Sequence, residues 1–214
     1  MVGDMRIICV VQARMGSSRL PGKSLRILAG KPMIAHVIER ANAIVGPVGV
    51  IVATSTNTVD DPLADVVEGM GVPVVRGSET DVLGRVQTAA VVTMADAVVR
   101  VTGDCPLLCP RVGESVIRKF RETFAEYAWS DTAASGYPDG TDVEIFTRGL
   151  LDLATAVATH PPGTAFVLSG DIKIAGAWKP KAGNVFASDG TAHVTPTPGY
   201  GGESVGFECN DVPG

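Results

Sequence analysis

Apolar residues recur along this chain with two different periods. RIICVVQ, from Arg6 to Gln12, is almost continuously apolar and β-branched, as a strand covered on both faces would be. PMIAHVIERANAI then places Met33, Ile34, Val37, Ile38, Ala41 and Ile44 at helical spacing, opened by Pro32 at a first-turn position. The exchange repeats. GVIVATS predicts a strand, and DDPLADVVEGMG a helix with acidic residues at its start and a glycine stop. VPVVRG and DVLGRVQTAAVVT give a third pair, and AVVRVTGDCP a strand ending abruptly at Gly103 and Pro106. PRVGESVIRKFRETF reads as a helix, DVEIF as a short strand and RGLLDLATAVA as a last helix.

Strands separated by helices of this length predict an α/β fold with a mostly parallel sheet and right-handed crossovers. Ligands of such sheets sit beyond the carboxyl ends of the strands. The loop after the first strand and the ATS, RGS and TGDCP turns therefore share one rim. From about His160 the pattern stops: the remainder is rich in Gly, Pro, Ser and Thr, has no arginine and keeps no period. We accordingly expect an α/β domain over 1–159 and a divergent Gly/Pro-rich extension over 160–214, either loop-rich, β-rich or partly disordered.

Charge narrows the function. A net charge of -5 argues against a protein that coats nucleic acid, which needs a basic face. A small anionic substrate stays open, because a local cationic loop can act within an acidic protein. The N-terminal run is interrupted by Gln12 and Arg14, so neither a signal peptide nor a membrane span is expected. Four cysteines without scaffold density suggest a cytoplasmic protein. Cys105 and Cys109 lack a second Cys/His pair to complete a zinc site and read as buried, inert thiols.

The rim carries the candidate chemistry. In VVQARMGSSRLPGKSL, Gly16, Ser17 and Ser18 offer N–H groups and hydroxyls, while Arg14, Arg19 and Lys23 supply charge. This is an anion cradle but no Walker loop, because Gly16 and Gly22 are six apart rather than five. Asp104, where a strand ends, is placed to hold Mg²⁺ or Mn²⁺. Asp142 and Glu144, two apart on a predicted strand, share a face; the pair either completes that metal site or positions a second substrate. Asp139 reads as a turn residue and His36 as a packed or surface side chain. A base pocket would draw on backbone near Gln12 and Ala13, with Thr54, Ser55, Arg76, Ser78 and Arg85 as candidates to complete it.

QARMGSSRLPGK resembles the signature loop of the cytidylyltransferases that activate acidic and related sugars: Ala-Arg-x-Gly-Ser, then Leu/Ile-Pro-x-Lys. The nearest subgroup is the spore-coat polysaccharide biosynthesis protein F type, related to the acylneuraminate and 3-deoxy-manno-octulosonate cytidylyltransferases. The resemblance continues in order through GKPMIAHVIER, IVATSTNTVDDPLAD, GVPVVRGSETDVLGR, VVRVTGDCPLL and YPDGTDVEIF, covering roughly Arg6 to Leu153. It implies a Rossmann-like, glycosyltransferase-A-like three-layer sandwich. It implies transfer of CMP from CTP to a sugar with loss of pyrophosphate, in surface polysaccharide or glycoconjugate biosynthesis. Arg14 and Lys23 match the family's triphosphate cations, and Arg76 its RGS turn. CTP and a sugar are the implied partners, with a homodimer possible. A nucleotidyltransferase using another NTP and a non-catalytic nucleotide-sugar binder are the alternatives. Two departures stand out. Cys109 replaces the acid of the family's LIDP, costing a helix cap, and AHVTP (192–196) is a faint echo of its REHVTPYI segment.

Overall fold

A computed structural model describes residues 5–17, 19–130 and 140–159, together with four short strands between 164 and 193. Ser18, Asp139 and most of the 160–214 extension lie outside the described residues. The elements run β1 (Ile7–Gln12), β2 (Ile27–Leu28), β3 (Lys31–Pro32), α1 (Met33–Asn42), β4 (Val50–Ser55), α2 (Asp61–Gly69) and β5 (Val74–Gly77). There follow α3 (Val82–Val92), β6 (Ala97–Thr102), α4 (Pro110–Thr123), β7 (Tyr127–Trp129), β8 (Glu144–Thr147) and α5 (Arg148–Thr159). The last four are β9 (Thr164–Val167), β10 (Ile174–Ala175), β11 (Val185–Ser188) and β12 (Ala192–His193).

The central sheet has the order β10-β7-β8-β6-β1-β4-β5. β1 is flanked in parallel by β4 and β6, and β4 by β5. Period-two alternation along β1 divides the core. Ile7, Cys9 and Val11 pack with Ile34 and Ile38 of α1, Leu63 of α2 and Phe120 of α4. Ile8 and Val10 face the opposite side, with Val86 and Ala89 of α3 and Leu151 of α5. Helices therefore cover both faces, making the three layers expected of a β-branched, doubly buried sheet.

Three details differ from the sequence expectation. β8 runs antiparallel to both β6 and β7. The β7 strand and the β2–β3 hairpin have two or three residues per strand, too short to show a period. β8 begins at Glu144, so Asp142 precedes the strand and the same-face argument for the two acids does not apply. There, Ser130 Oγ accepts from Val143 N at 2.9 Å, a side chain substituting for a ladder rung. Beyond residue 159, β10 adds in parallel to β7, while β9, β11 and β12 form a separate antiparallel sheet. Among the described residues no helix is long and apolar enough to cross a membrane.

Candidate functional site

The connection from β1 goes to β4 on one side of the sheet, whereas β6 lies on the other, so strand order reverses at the β1–β6 boundary. That boundary is where the sheet's own geometry leaves a crevice. Gly103 closes its floor: its N–H donates to Gln12 O at 2.7 Å, and a Cβ there would lie 2.6 Å from the Ala13 Cβ.

The loop after β1 folds around the Met15 peptide. Met15 O accepts from Ser17 N at 2.8 Å and from Gly22 N at 3.1 Å, and Ser24 Oγ donates to Arg14 O at 3.1 Å. Gly22 takes φ 71°, a conformation glycine adopts without the clash a Cβ brings. The chain is thus returned to the rim at Lys23, which opens a short 3₁₀ turn. Its Nζ lies 2.5 Å from Asp104 Oδ2, across from the end of β6. Both side chains lie on the lining of a cleft of about 260 Å³. Gln12, Ala13, Arg14, Ser17, Lys23 and Asp104 line it, as does Arg19. Three cations and the Ser17 hydroxyl can hold an anion there.

Other predicted residues are not on that lining. Thr54 and Ser55 are fully buried at the end of β4 and cannot present a side chain to a base. Arg76 is bound to its own chain: Nε donates to Ser55 O at 2.8 Å, Nη2 to Asn57 O at 3.2 Å and to Asp61 Oδ1 at 2.5 Å. Ser78 Oγ meets Thr80 Oγ1 at 3.2 Å in an exposed turn. Arg85, 2% exposed, donates to Ser78 O and Glu79 O and so braces the RGS turn from beneath. Burial pulls its guanidinium below its ordinary pKa, with nearby Arg14 adding to the effect. Gly16 lies beside Glu79, whose Oε1 is 3.5 Å from Arg14 Nη1. In this structure the Arg76, Ser78 and Arg85 side chains, expected as base readers, bond to their own chain and lie off the cleft lining.

Neither of the two acids beyond β7 is on the cleft lining. Glu144 is held by Arg100 Nη1 at 2.9 Å, and Arg100 donates through Nε and Nη2 to Gln12 Oε1 at 3.2 and 2.9 Å. This Gln12–Arg100–Glu144 chain crosses three adjacent strands, β1, β6 and β8. Among the described residues no group of three or more His, Cys, Asp or Glu side chains is gathered as a metal site. Asp104 alone still suits Mg²⁺, which takes one or two carboxylates and completes its shell from phosphates and water. Burial works to raise the Asp104 carboxyl, but hydrogen bonds from Lys23 and Thr102 outweigh it and hold it below the usual carboxylate range.

Sequence reasoning passed over Asp60, reading it only as an acidic helix start. It is 1% exposed and accepts from Met15 N at 2.6 Å, from Ser55 N at 3.2 Å and from Ser55 Oγ. Burial pushes its carboxyl up, yet the bonds from Ser55 and Met15 together bring it below its ordinary value. The signal available was the doubled acid in NTVDD, one more than a helix start needs.

A mostly parallel sheet whose switch point holds a cationic loop opposite a carboxylate defines an α/β domain of the nucleotide-handling class. A family profile described as Cytidylyltransferase matches residues 8–157. The chain belongs to that cytidylyltransferase family. It is 38% identical over 128 residues to an 8-amino-3,8-dideoxy-manno-octulosonate cytidylyltransferase of Shewanella sediminis, covering 58% of this chain and 51% of that protein. The chain thus spans about half the length of the curated relatives it matches. A cytidylyltransferase structure from Leptospira borgpetersenii superposes with a TM-score of 0.67 at 31% identity, covering 71% of this chain and 64% of that one. A structure of a CMP:2-keto-3-deoxy-manno-octonic acid synthetase complexed with CTP shares the fold, with a TM-score of 0.59 at 24% identity over 71% of this chain and 78% of that one.

Proposed function

We propose that this chain transfers CMP from CTP to the hydroxyl of a sugar, releasing pyrophosphate, and that the sugar is acidic. The observation that carries the reading is the cleft itself, with Arg14, Ser17 and Lys23 on one wall and Asp104 on the other, at the switch point of a cytidylyltransferase-family domain. In the transfer a sugar oxygen bonds to the α-phosphorus as the bond from that phosphorus to the bridging oxygen breaks. Little covalent work falls to the protein; neutralising charge and aligning the two oxygens dominate. Arg14 and Lys23 take the phosphate oxygens, and the Ser17 hydroxyl supplies a further donor. Asp104 would hold Mg²⁺ or Mn²⁺, which when bound shares the triphosphate's charge. Gln12, fixed by Arg100, stands between the phosphates and the Arg100–Glu144 pair, on the side we assign to the sugar. The relative's amino-octulosonate supports an acidic sugar of that kind, and an activated sugar for glycoconjugate assembly as the product.

Pyrophosphate release with CTP, UTP, ATP and GTP, against a panel of 2-keto-3-deoxy acid sugars and neutral sugars, tests this. CTP-dependent release with an acidic sugar is the expected result. Release driven better by a purine nucleotide would move the chain to another nucleotidyltransferase activity. Tight CTP binding with no release from any sugar would leave a binding module.

A further inference from the structure

Asp60 closes the short 3₁₀ turn Thr58–Asp60 that leads into α2 and has helical φ and ψ, so capping falls to Asn57, whose side chain accepts from Val59 N at 3.2 Å. Asp60 makes no side-chain cap bond. Its carboxylate instead reaches the Met15 N–H at 2.6 Å. The remaining acceptor capacity is taken by the N–H and hydroxyl of Ser55, whose Oγ also accepts from Asn57 N at 3.1 Å. A 1% exposed carboxylate that accepts from an N–H 45 positions away ties the entry of α2 to the loop after β1.

The Met15 peptide is the pivot of the cationic loop, because its carbonyl holds both Ser17 and Gly22. One residue before it, the Arg14 carbonyl is held by Ser24 Oγ and the Arg14 guanidinium lies 3.5 Å from Glu79. One bond to the Met15 N–H therefore sets the direction in which Arg14 leaves β1 and the place to which Lys23 is returned. Among the described residues Asp60 forms no ion pair, although the Arg85 guanidinium feels its charge, and its carboxylate accepts from these N–H and O–H donors.

We propose that Asp60 is a positioning residue for the triphosphate end of the cleft, acting through the Met15 peptide on Arg14 and Lys23. The role rests on the nucleotide reading above and deepens it: affinity for phosphates is carried by a carboxylate that never touches them.

The test uses the full chain and two probes, Mg²⁺-CTP and inorganic triphosphate, titrated calorimetrically against wild type, Asp60→Asn, Arg14→Ala and the double variant. Asn keeps an acceptor for one donor but turns an N–H₂ toward another, so Kd for both probes rises roughly tenfold. Because Asp60 acts through Arg14, the double variant is weakened by clearly less than the product of the single effects. Amide exchange at Met15 accelerates in Asp60→Asn while exchange along β1 does not, which a general loss of stability would not produce. Where Asp60→Asn fails to fold, Ser55→Ala removes one of its donors, and a rise of roughly two- to threefold is expected. A folded Asp60→Asn or Ser55→Ala with wild-type Kd for the probes, or multiplicative penalties in the double variant, overturns the proposal. A wild-type chain that binds inorganic triphosphate but not CTP sinks the cytidylyltransferase reading alone, and the same series then decides the positioning role. One that binds neither sinks both.

Discussion

Lys23 Nζ and Asp104 Oδ2 meet at 2.5 Å on the cleft lining, so this cation and this carboxylate neutralise each other. Triphosphate recruits the first and a divalent cation the second, and neither can be fully engaged while the pair is closed. Metal and nucleotide binding should therefore assist each other. In excess chelator, Asp104→Asn frees Lys23 and binds CTP roughly two- to fivefold more tightly than wild type. With Mg²⁺ present the same variant loses about 100-fold or more in turnover. Lys23→Ala weakens CTP binding under both conditions. Weaker metal-free binding in Asp104→Asn would show that the pair does not hold the cleft shut.

Arg76 offers a test of the structural reading of the RGS turn. Its guanidinium fastens the β4–α2 connection through two carbonyls and Asp61. Arg76→Ala should lower stability by about 1 kcal/mol, read from urea unfolding. CTP affinity should stay within about twofold, measured at a temperature where the variant is folded. A large loss of CTP binding with unchanged stability would return Arg76 to the base pocket.

Acid should act through the buried carboxylate. Asp60 is lowered in the folded state relative to roughly 3.9 in the unfolded chain, so between those values the unfolded chain holds the extra proton. Its stabilisation is complete above about pH 5 and drains as pH falls through the folded-state value. Urea midpoints taken from pH 7 to pH 3 should fall less steeply for Asp60→Asn than for wild type. Parallel curves would refute the assignment.

Cys109 is the N-cap of α4 and makes no side-chain cap bond, with Pro110 following in the first turn. Cys109→Asp should recover about 1 kcal/mol. For a chain of this size that is a rise of roughly 2–4 °C in Tm by calorimetry. Nucleotide binding should not change, since Cys109 is not on the cleft lining.

The parts of the fold that were legible in the sequence are those with a sustained period. β1, β4 and β6 announce themselves as apolar runs, and α1 through its spaced Ile34, Val37, Ile38 and Ala41. β7, with three residues, carries no period, and the reversed direction of β8 leaves no local mark. The site divides along the same line. Arg14 and Asp104 follow strand ends, where position follows from topology, Ser17 and Lys23 sit on the loop that β1 feeds, and the cleft gathers all four. Arg76 and Arg85 were ambiguous for a chemical reason: a guanidinium that binds carbonyls of its own chain has the same sequence as one that binds a ligand. Asp60 and Arg100 act across 45 and 88 residues of sequence, and no spacing rule reaches that far.

The hydrogen on the Gly103 α-carbon acts as a spacer gauge for the whole site. With Ala13 Cβ at 2.6 Å and Gln12 O at 3.0 Å from where a methyl would begin, any other residue drives a wedge between the ends of β1 and β6. Those two ends carry Arg14 and Asp104 respectively, so the reach between cationic wall and carboxylate is set by main-chain contact and not by the long, adaptable side chains that span it. Such a cleft is a jaw with a fixed hinge width: Lys23 can swing from Asp104 to a phosphate, but the separation of the two strand ends is written into a position of the floor that has no side chain.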